Sequence, residues 1–296
     1  MKSAAVILNP NAGNGKLKKE TDTIQARLAE VFEEVHLYIT EQEGDGKKYV
    51  ELLANNTDVI IGAGGDGTIF ELVNAIAPLG QRPIFAILPG GTCNDFSRAI
   101  GMSQDPLLAL EQIIQKHIKI VDIGYFKEYY FLNFLGIGLI AKVAEEMEDS
   151  NKKLLGKMSY YLNTSKIVFQ NQPFHLHVKS EEQTYNGEAV MLVIGNGPFL
   201  GGMKSFFPHA DMEDGKLDVL IMKETKFQQF WTWLEAQTQQ DYPQDRDDQL
   251  IYFRTSQLQI ETRPVQHIDS DGEILTETPT EVSVLPQHLQ VLSGDE

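Results

Sequence analysis

Cysteine is almost absent: Cys93 is the single one in 296 residues. That excludes an internal disulfide, agrees with a reducing compartment such as the cytoplasm, and leaves too few thiols for a cysteine-based zinc site. Long apolar runs are missing too, since no stretch approaches the roughly 20 residues needed to span a bilayer. The opening MKSAAVILNPNAG turns polar after a few residues. It has neither the longer apolar region nor the small-residue cleavage site of a signal peptide, so it reads as a first strand. Positive charge is scarce: 25 Lys and Arg against 42 Asp and Glu give a net charge of −17. This argues against a nucleic-acid surface and against a whole face adhering to anionic membrane. Two basic clusters remain, Lys16, Lys18 and Lys19, and Lys152, Lys153 and Lys157. Each reads first as a solvated helix face, with a lipid contact within a Debye length of about 10 Å as the alternative.

The apolar pattern describes two halves. In the first, short apolar strands (4–8, 36–40, 58–61, 84–88 and 118–123) alternate with stretches of helical period (17–35, 44–55, 68–79 and 107–114). That alternation predicts parallel βαβ units, whose ligands bind beyond the carboxyl ends of the strands. After about residue 125 the pattern changes. A strand over 131–134 precedes a glycine turn and helix in GIGLIAKVAEEME, then a helix over 154–169. From Pro173 on, alternating segments (FHLHVKS, EAVMLVIGN, KLDVLIM, IYFRTSQLQIET, TEVSVLP) predict an antiparallel sheet or sandwich. One helix, 226–238, and an acidic loop, 241–248, interrupt it. The expected organisation is an α/β domain over 1–125 and a β-rich domain over 126–284, with the tail from about 285 returning to the first.

Three glycine- or asparagine-rich loops fall at strand ends: Asn9–Gly15, Gly62–Thr68 and Pro89–Asp95. A strand, a glycine turn and a helix start aim backbone N–H groups at a phosphate, and glycine lets the backbone approach closely. Asp66 sits inside the second turn, where a carboxylate repels phosphate unless a divalent cation lies between them. Thr68 is placed as helix N-cap, with Glu71 completing a capping box. The plainer reading is a tight turn closed by a capped helix. In the third loop Gly90 and Gly91 permit close approach, Thr92 and Asn94 offer hydrogen bonds, and Asp95 is either a second site carboxylate or a cap. Asp122, near a strand end, is a third carboxylate or a turn residue. Asp271–Gly272–Glu273 reads as a hairpin turn, and the acidic turn Asp211–Asp218 suits a divalent cation or plain solvation.

Asn9–Pro10…Gly13, Gly64–Gly65–Asp66–Gly67–Thr68, Pro89–Gly90–Gly91–Thr92, Asn94–Asp95–Phe96 and the late Asp271–Gly272–Glu273 follow in order. Together they resemble the diacylglycerol kinase catalytic-domain family, the bacterial soluble lipid kinases, over essentially the whole chain. The resemblance implies a Rossmann-like three-layer α/β nucleotide domain followed by an antiparallel β-sandwich. It implies ATP held by Asn9, Pro10, Asn11, Ala12, Gly13, Thr40, Gly64, Gly65, Asp66, Gly67, Thr68, Ile69, Phe70 and Thr92. It further implies a catalytic Mg²⁺ organised by Asp66, Asp95 and Asp122, partly through water, and Glu273 as the general base toward the lipid hydroxyl. A structural Mg²⁺ would lie on Asp211, Asp214 and the carbonyl of Lys216. The implied substrate is diacylglycerol, phosphorylated to phosphatidic acid during transient peripheral contact with the inner face of the membrane, and the family's dimers leave a homodimer open. The sequence departs from the family at Phe70, often Asn, and at Ile140, often Asp; the latter departure is shared by the Gram-positive diacylglycerol kinases. The competing readings are a kinase for another acceptor (a sphingoid base, phosphatidylglycerol or NAD) and a non-catalytic nucleotide-binding regulator.

Overall fold

The computed structural model describes residues 1–138, 173–204, 206–207, 209–223 and 249–294. The helices expected within 136–148 (beyond Gly138), 154–169 and 226–238, the loop 241–248 and the cluster Lys152, Lys153 and Lys157 lie outside those residues. The chain divides into two compact units, Met1–Val121 with Gln287–Glu296, and Asp122–Pro286.

In the first unit β1 (Ser3–Leu8), β2 (Glu34–Ile39), β3 (Val59–Gly64) and β4 (Ile84–Pro89) form a parallel sheet in the order β2-β1-β3-β4. Its helices are α1 (Lys16–Lys19), α2 (Thr21–Leu28), α3 (Asp45–Leu53), α4 (Asp66–Ile76), α5 (Asp95–Ala99) and α6 (Pro106–Gln115). Strand β5 (Ile118–Phe126) leaves this unit at Val121. The core residues of β1, β3 and β4 are buried almost without exception, as expected of parallel strands covered on both faces. Helix α4 puts Ile69, Leu72, Val73 and Ile76 on its buried side. Helix α6 begins as its sequence dictates. Pro106 takes the first position, and the Asp105 carboxylate accepts N–H from Leu107 (2.9 Å) and Leu108 (3.3 Å). The strand order reverses between β1 and β3, so the loops after β1, β3 and β4 gather at one end of the sheet.

The second unit is a β-sandwich. Its strands are β6 (Tyr129–Phe131), β7 (Phe134–Gly138), β8 (Phe174–Ser180), β9 (Thr184–Ala189), β10 (Met191–Gly195), the short hairpin β11 (Phe199–Leu200) and β12 (Met203–Lys204), β13 (Leu217–Met222), β14 (Leu250–Thr255), β15 (Gln257–Arg263), β16 (His267–Ser270), β17 (Glu273–Glu277) and β18 (Thr280–Leu292). One antiparallel sheet runs β14-β13-β10-β7-β16-β17 and the other contains β18-β15-β8-β9. Phe126, Phe174, Leu192, Val219, Ile260 and Val282 belong to one buried apolar cluster fed by both sheets, the packing that gives a sandwich its core. The last residues of β18 belong to the first unit, where Val291 pairs in parallel with Phe85 of β4.

Three local expectations are corrected. IYFRTSQLQIET is two strands in different sheets, not one. The chain turns at Ser256, whose carbonyl accepts the Val284 N–H (2.9 Å), while the Thr255 hydroxyl bonds across the corner to Gln257 (2.9 Å). Gly136 and Gly138 lie inside β7 rather than in a turn. The strand expected over 131–134 breaks at Leu132–Asn133, because their N–H groups turn to the Asp271 carboxylate.

Candidate functional site

The first unit brings the three loops together. The Asn9 N–H reaches the Ala63 carbonyl (2.9 Å), and its Nδ2 donates to Thr68 Oγ1 (3.2 Å), tying the first loop to the second. Its Oδ1 accepts the Asn11 N–H (3.0 Å), which bends the chain through Pro10 and Asn11 toward Ala12 and Gly13. Gly13 has φ +56°, and a Cβ there would stand 2.7 Å from the Gly90 carbonyl oxygen. The close approach demands glycine, and the positive φ favours it. The second and third loops touch in the same way: the Gly90 N–H donates to the Gly64 carbonyl (2.8 Å), and a Cβ on Gly91 would lie 2.7 Å from Gly65 Cα. At the end of β2, Thr40 donates its N–H to the Leu8 carbonyl (2.9 Å).

Asp66 is the first residue of α4, but its carboxylate serves another segment. Oδ2 accepts the N–H of Asn94 (2.9 Å) and Oδ1 that of Asp95 (2.8 Å). The negative charge thus stands at the first amides of α5, where it is favoured. Asn94 has φ +50°, a conformation that asparagine tolerates better than most residues, and its side chain closes on Gly91 through Oδ1 (2.8 Å) and Nδ2 (3.0 Å). This clamp leaves Gly91 and Thr92 exposed, while Asn94 and Asp95 are buried. The expected capping box is corrected: α4 starts at Asp66 after Gly65 and has no side-chain cap, and Glu71 instead accepts the Lys47 N–H of α3 (3.0 Å). Ile69 packs in the core and offers the loop only its backbone, and Phe70 is half-buried on α4.

Gly64 to Thr68, Asn9 to Gly13, Thr40 and Thr92 therefore surround a cradle of close-approaching backbone. The first four N–H groups of a helix have no intrahelical partner, so the start of α4 adds unpaired donors there. Side chains at Gly13 or Gly91 would collide with the facing loop, at the Gly90 carbonyl oxygen and at Gly65 Cα, so these glycines let the three loops pack together. Backbone N–H groups gathered in this way suit an anionic, phosphate-bearing ligand such as ATP.

Asp122, Asp211, Asp214, Lys216 and Glu273 belong to the second unit. Asp122 is fully buried, and its Oδ2 accepts the Gly215 N–H (2.6 Å), which joins it to the acidic turn. In that turn Asp211 accepts the Glu213 N–H (3.0 Å) and Asp214 the Lys216 N–H (2.9 Å), while the other Asp214 oxygen pairs with the Arg254 guanidinium. Arg254 stands opposite Asp218 on the sheet and lies 3.5 Å from its carboxylate. Burial pushes the Asp218 carboxyl above the usual carboxylate range, against the opposing pull of the Tyr252 hydroxyl and Arg254. Among the described residues no group of three or more His, Cys, Asp or Glu side chains is gathered as a metal site.

Glu273 opens β17, directly after a two-residue hairpin turn with φ +51° at Asp271 and +92° at Gly272. The turn is anchored more firmly than Asp-Gly alone requires. The buried Asp271 carboxylate accepts N–H from Leu132 (2.7 Å), Asn133 (2.9 Å) and Phe134 (3.0 Å), and Gly272 donates to Asp269 (2.8 Å). Sequence reasoning missed this anchor and the Asp218, Tyr252 and Arg254 cluster. Of the two, only the Asp271–Gly272 dipeptide carried a signal.

Comparison with known proteins covers both units. The family description "Diacylglycerol kinase catalytic domain" matches residues 3–126, and "YegS C-terminal NAD kinase beta sandwich-like domain" matches residues 134–293. A Staphylococcus carnosus (strain TM300) protein named "Putative lipid kinase" is 29% identical over 289 residues, 96% of this chain and 94% of that one. A crystal structure of a "putative diacylglycerol kinase" from Bacillus anthracis str. Sterne is similar with a TM-score of 0.88 and 36% identity, covering 99% of this chain and 97% of the other. A second structure from that organism, described as a diacylglycerol kinase, gives 0.83 and 34% over the same shares.

Proposed function

The chain belongs to the diacylglycerol kinase catalytic-domain family, and from that premise we propose that it transfers the γ-phosphate of ATP to the hydroxyl of diacylglycerol, giving phosphatidic acid. The observation that carries the reading is the three-loop cradle of the first unit, in which Gly13 and Gly91 lie too close to the backbone of the facing loops, at Gly90 and Gly65, to admit side chains. A bound magnesium nucleotide supplies the phosphoryl group and the cation that neutralises its charge, as phosphoryl transfer requires.

The chain's own residues do the rest. Asn9 and Thr68 hold the first two loops at fixed spacing. Asp66 and Asn94 hold the third, presenting Gly91 and Thr92 to the ligand. Asp66, Asp95 and Asp122 are the carboxylates assigned to the cation, through water where their oxygens already accept backbone N–H groups. Glu273 takes the proton of the acceptor hydroxyl, which is a poor nucleophile until that proton leaves. The half-buried position of Glu273, behind the anchored Asp271 turn, suits a base held in one orientation. Among the described residues no helix is long and apolar enough to cross a membrane. Access to a lipid then takes peripheral contact, for which Lys18 and Lys19, exposed on α1, are the basic residues at hand.

The test is an acceptor panel with radiolabelled ATP: diacylglycerol, a sphingoid base, phosphatidylglycerol and NAD. Labelled phosphatidic acid as the main product supports the reading. Preferred labelling of another acceptor replaces the substrate, and nucleotide binding without any transfer replaces the kinase with a regulator.

A further inference from the structure

We infer that Asn196 is a positioning residue for this reaction, setting Asp122 against the turn that carries Glu273. Asn196 follows β10 and is only 1% exposed. Its Nδ2 donates one hydrogen to the Asp122 carbonyl (3.0 Å) and the other to the Leu132 carbonyl (2.8 Å). These acceptors lie just past the last β5–β6 pair, Gly124 with Phe131. Two carbonyl oxygens cannot bond each other, whereas a side-chain amide has two N–H groups to place between them. The Asn196 N–H also donates to the Asn133 carbonyl (2.8 Å), as does that of Gly197 (3.1 Å).

The segment held this way, Leu132–Phe134, gives all three of its N–H groups to the Asp271 carboxylate. Asp271 returns its own N–H to the Phe134 carbonyl (3.1 Å). A continuous chain of bonds therefore runs from the Asp122 backbone through the Asn196 amide and Leu132–Phe134 to the Asp271 turn, one residue short of the Glu273 neighbour Gly272. Neither end of Asn196 touches a reacting group, so its effect is on placement. Without its N–H groups the end of β5 and the Leu132–Phe134 segment lose a side chain that bonds both. The sandwich core, built elsewhere, stays.

This rests on the kinase reading, and the experiment separates the two. Asn196→Leu removes both donors at similar size, and Asn196→Ser keeps one. Each is compared with wild type for kcat, for KM toward ATP, and for hydrogen exchange of the peptide spanning Leu132–Phe134. The expected result is a kcat at least about 10-fold lower in Asn196→Leu, a scale reached by small misplacements of reacting groups. The fall in kcat should exceed any rise in KM for ATP, because the cradle belongs to the other unit and Asp122 is the one group assigned to the nucleotide's cation that Asn196 holds. Asn196→Ser should be intermediate. Exchange at Leu132–Phe134 should quicken in both variants while that of β13 is unchanged. Should Asn196→Leu fail to fold, the Ser variant decides by the same two readouts. Unchanged exchange at Leu132–Phe134 overturns the inference whatever the activity, as does unchanged kcat, or quickened exchange throughout. A wild type that transfers no phosphate overturns the kinase reading, while the exchange result still decides whether Asn196 holds the segment.

Discussion

Asp66 and Asp95 are bound through the backbone: the Asp66 carboxylate accepts the Asp95 N–H at 2.8 Å and, with its other oxygen, the Asn94 N–H at 2.9 Å. One acidic side chain thus orders the third loop and lies at the cradle. Asp66→Ala leaves two amides without their acceptor, at about 1–3 kcal/mol each. The expected outcome is a melting midpoint several degrees lower together with loss of ATP binding. Asp66→Asn keeps one acceptor and falls between on stability. Calorimetric melts and titrations with ATP check this, and an Ala variant with the wild-type midpoint and affinity would contradict it.

The cradle predicts which glycines matter. Gly91→Ala puts a methyl 2.7 Å from Gly65 Cα, so one backbone segment must move. ATP binding, followed by displacement of a fluorescent analogue, should weaken at least about 10-fold, roughly 1.4 kcal/mol. Gly80→Ala is the control, since a Cβ there meets nothing within 4 Å; its affinity should match wild type. Equal affinity in both variants would remove the cradle from the ligand site.

Arg254 already supplies a positive charge to Asp214 and stands beside Asp218. A divalent ion at 100 times its Kd would add about 2.7 kcal/mol to stability, several degrees for a unit of this size. With the guanidinium in place, chelation by EDTA should move the melting midpoint by less than about 2 °C. A larger fall would show that the Asp211, Asp214 and Lys216 turn holds a cation despite Arg254.

His288, on β18, bonds the Ala77 carbonyl at the end of α4 through Nε2 (2.9 Å). Burial lowers its pKa, aided by nearby Arg82 and opposed by the Ala77 bond. The folded state therefore prefers the neutral ring. Its contribution is full above the unfolded value of about 6.5 and is lost as pH falls through the lower folded value. His288→Gln retains a donor for Ala77 without titrating. Between pH 7.5 and 5.5 the wild-type midpoint should drop further than that of His288→Gln, and parallel curves would contradict the assignment.

The fold was legible wherever burial is written locally. The near-continuous apolar runs of β1, β3 and β4 announce covered parallel strands, and the alternation of Phe174, Leu176 and Val178 announces a sandwich strand. Sequence does not state which sheet a strand joins, so the turn at Ser256 was invisible: both sides of it alternate equally well. Residue types at the loops pointed to a cradle, because glycine in a turn implies close approach. The partners of those residues lie far away in sequence. Asp66 bonds a segment 28 residues on, and Asp271 one some 138 residues back. Local rules instead suggested a capping box at Thr68 and Glu71, which lost to the α3 amide that Glu71 accepts. Likewise Asn196 in Ile-Gly-Asn-Gly looks like an ordinary turn residue until its two carbonyl partners are seen.

The most direct measurement is transfer of labelled phosphate from ATP to dioleoylglycerol in mixed micelles, comparing wild type with Glu273→Gln. General-base catalysis contributes about 10²–10⁴-fold. Wild type should form labelled phosphatidic acid, and Glu273→Gln should form it at least about 100-fold more slowly with ATP affinity and melting midpoint unchanged. Equal rates in the two proteins would remove Glu273 as the base, and a wild type that labels no lipid would contradict the account as a whole.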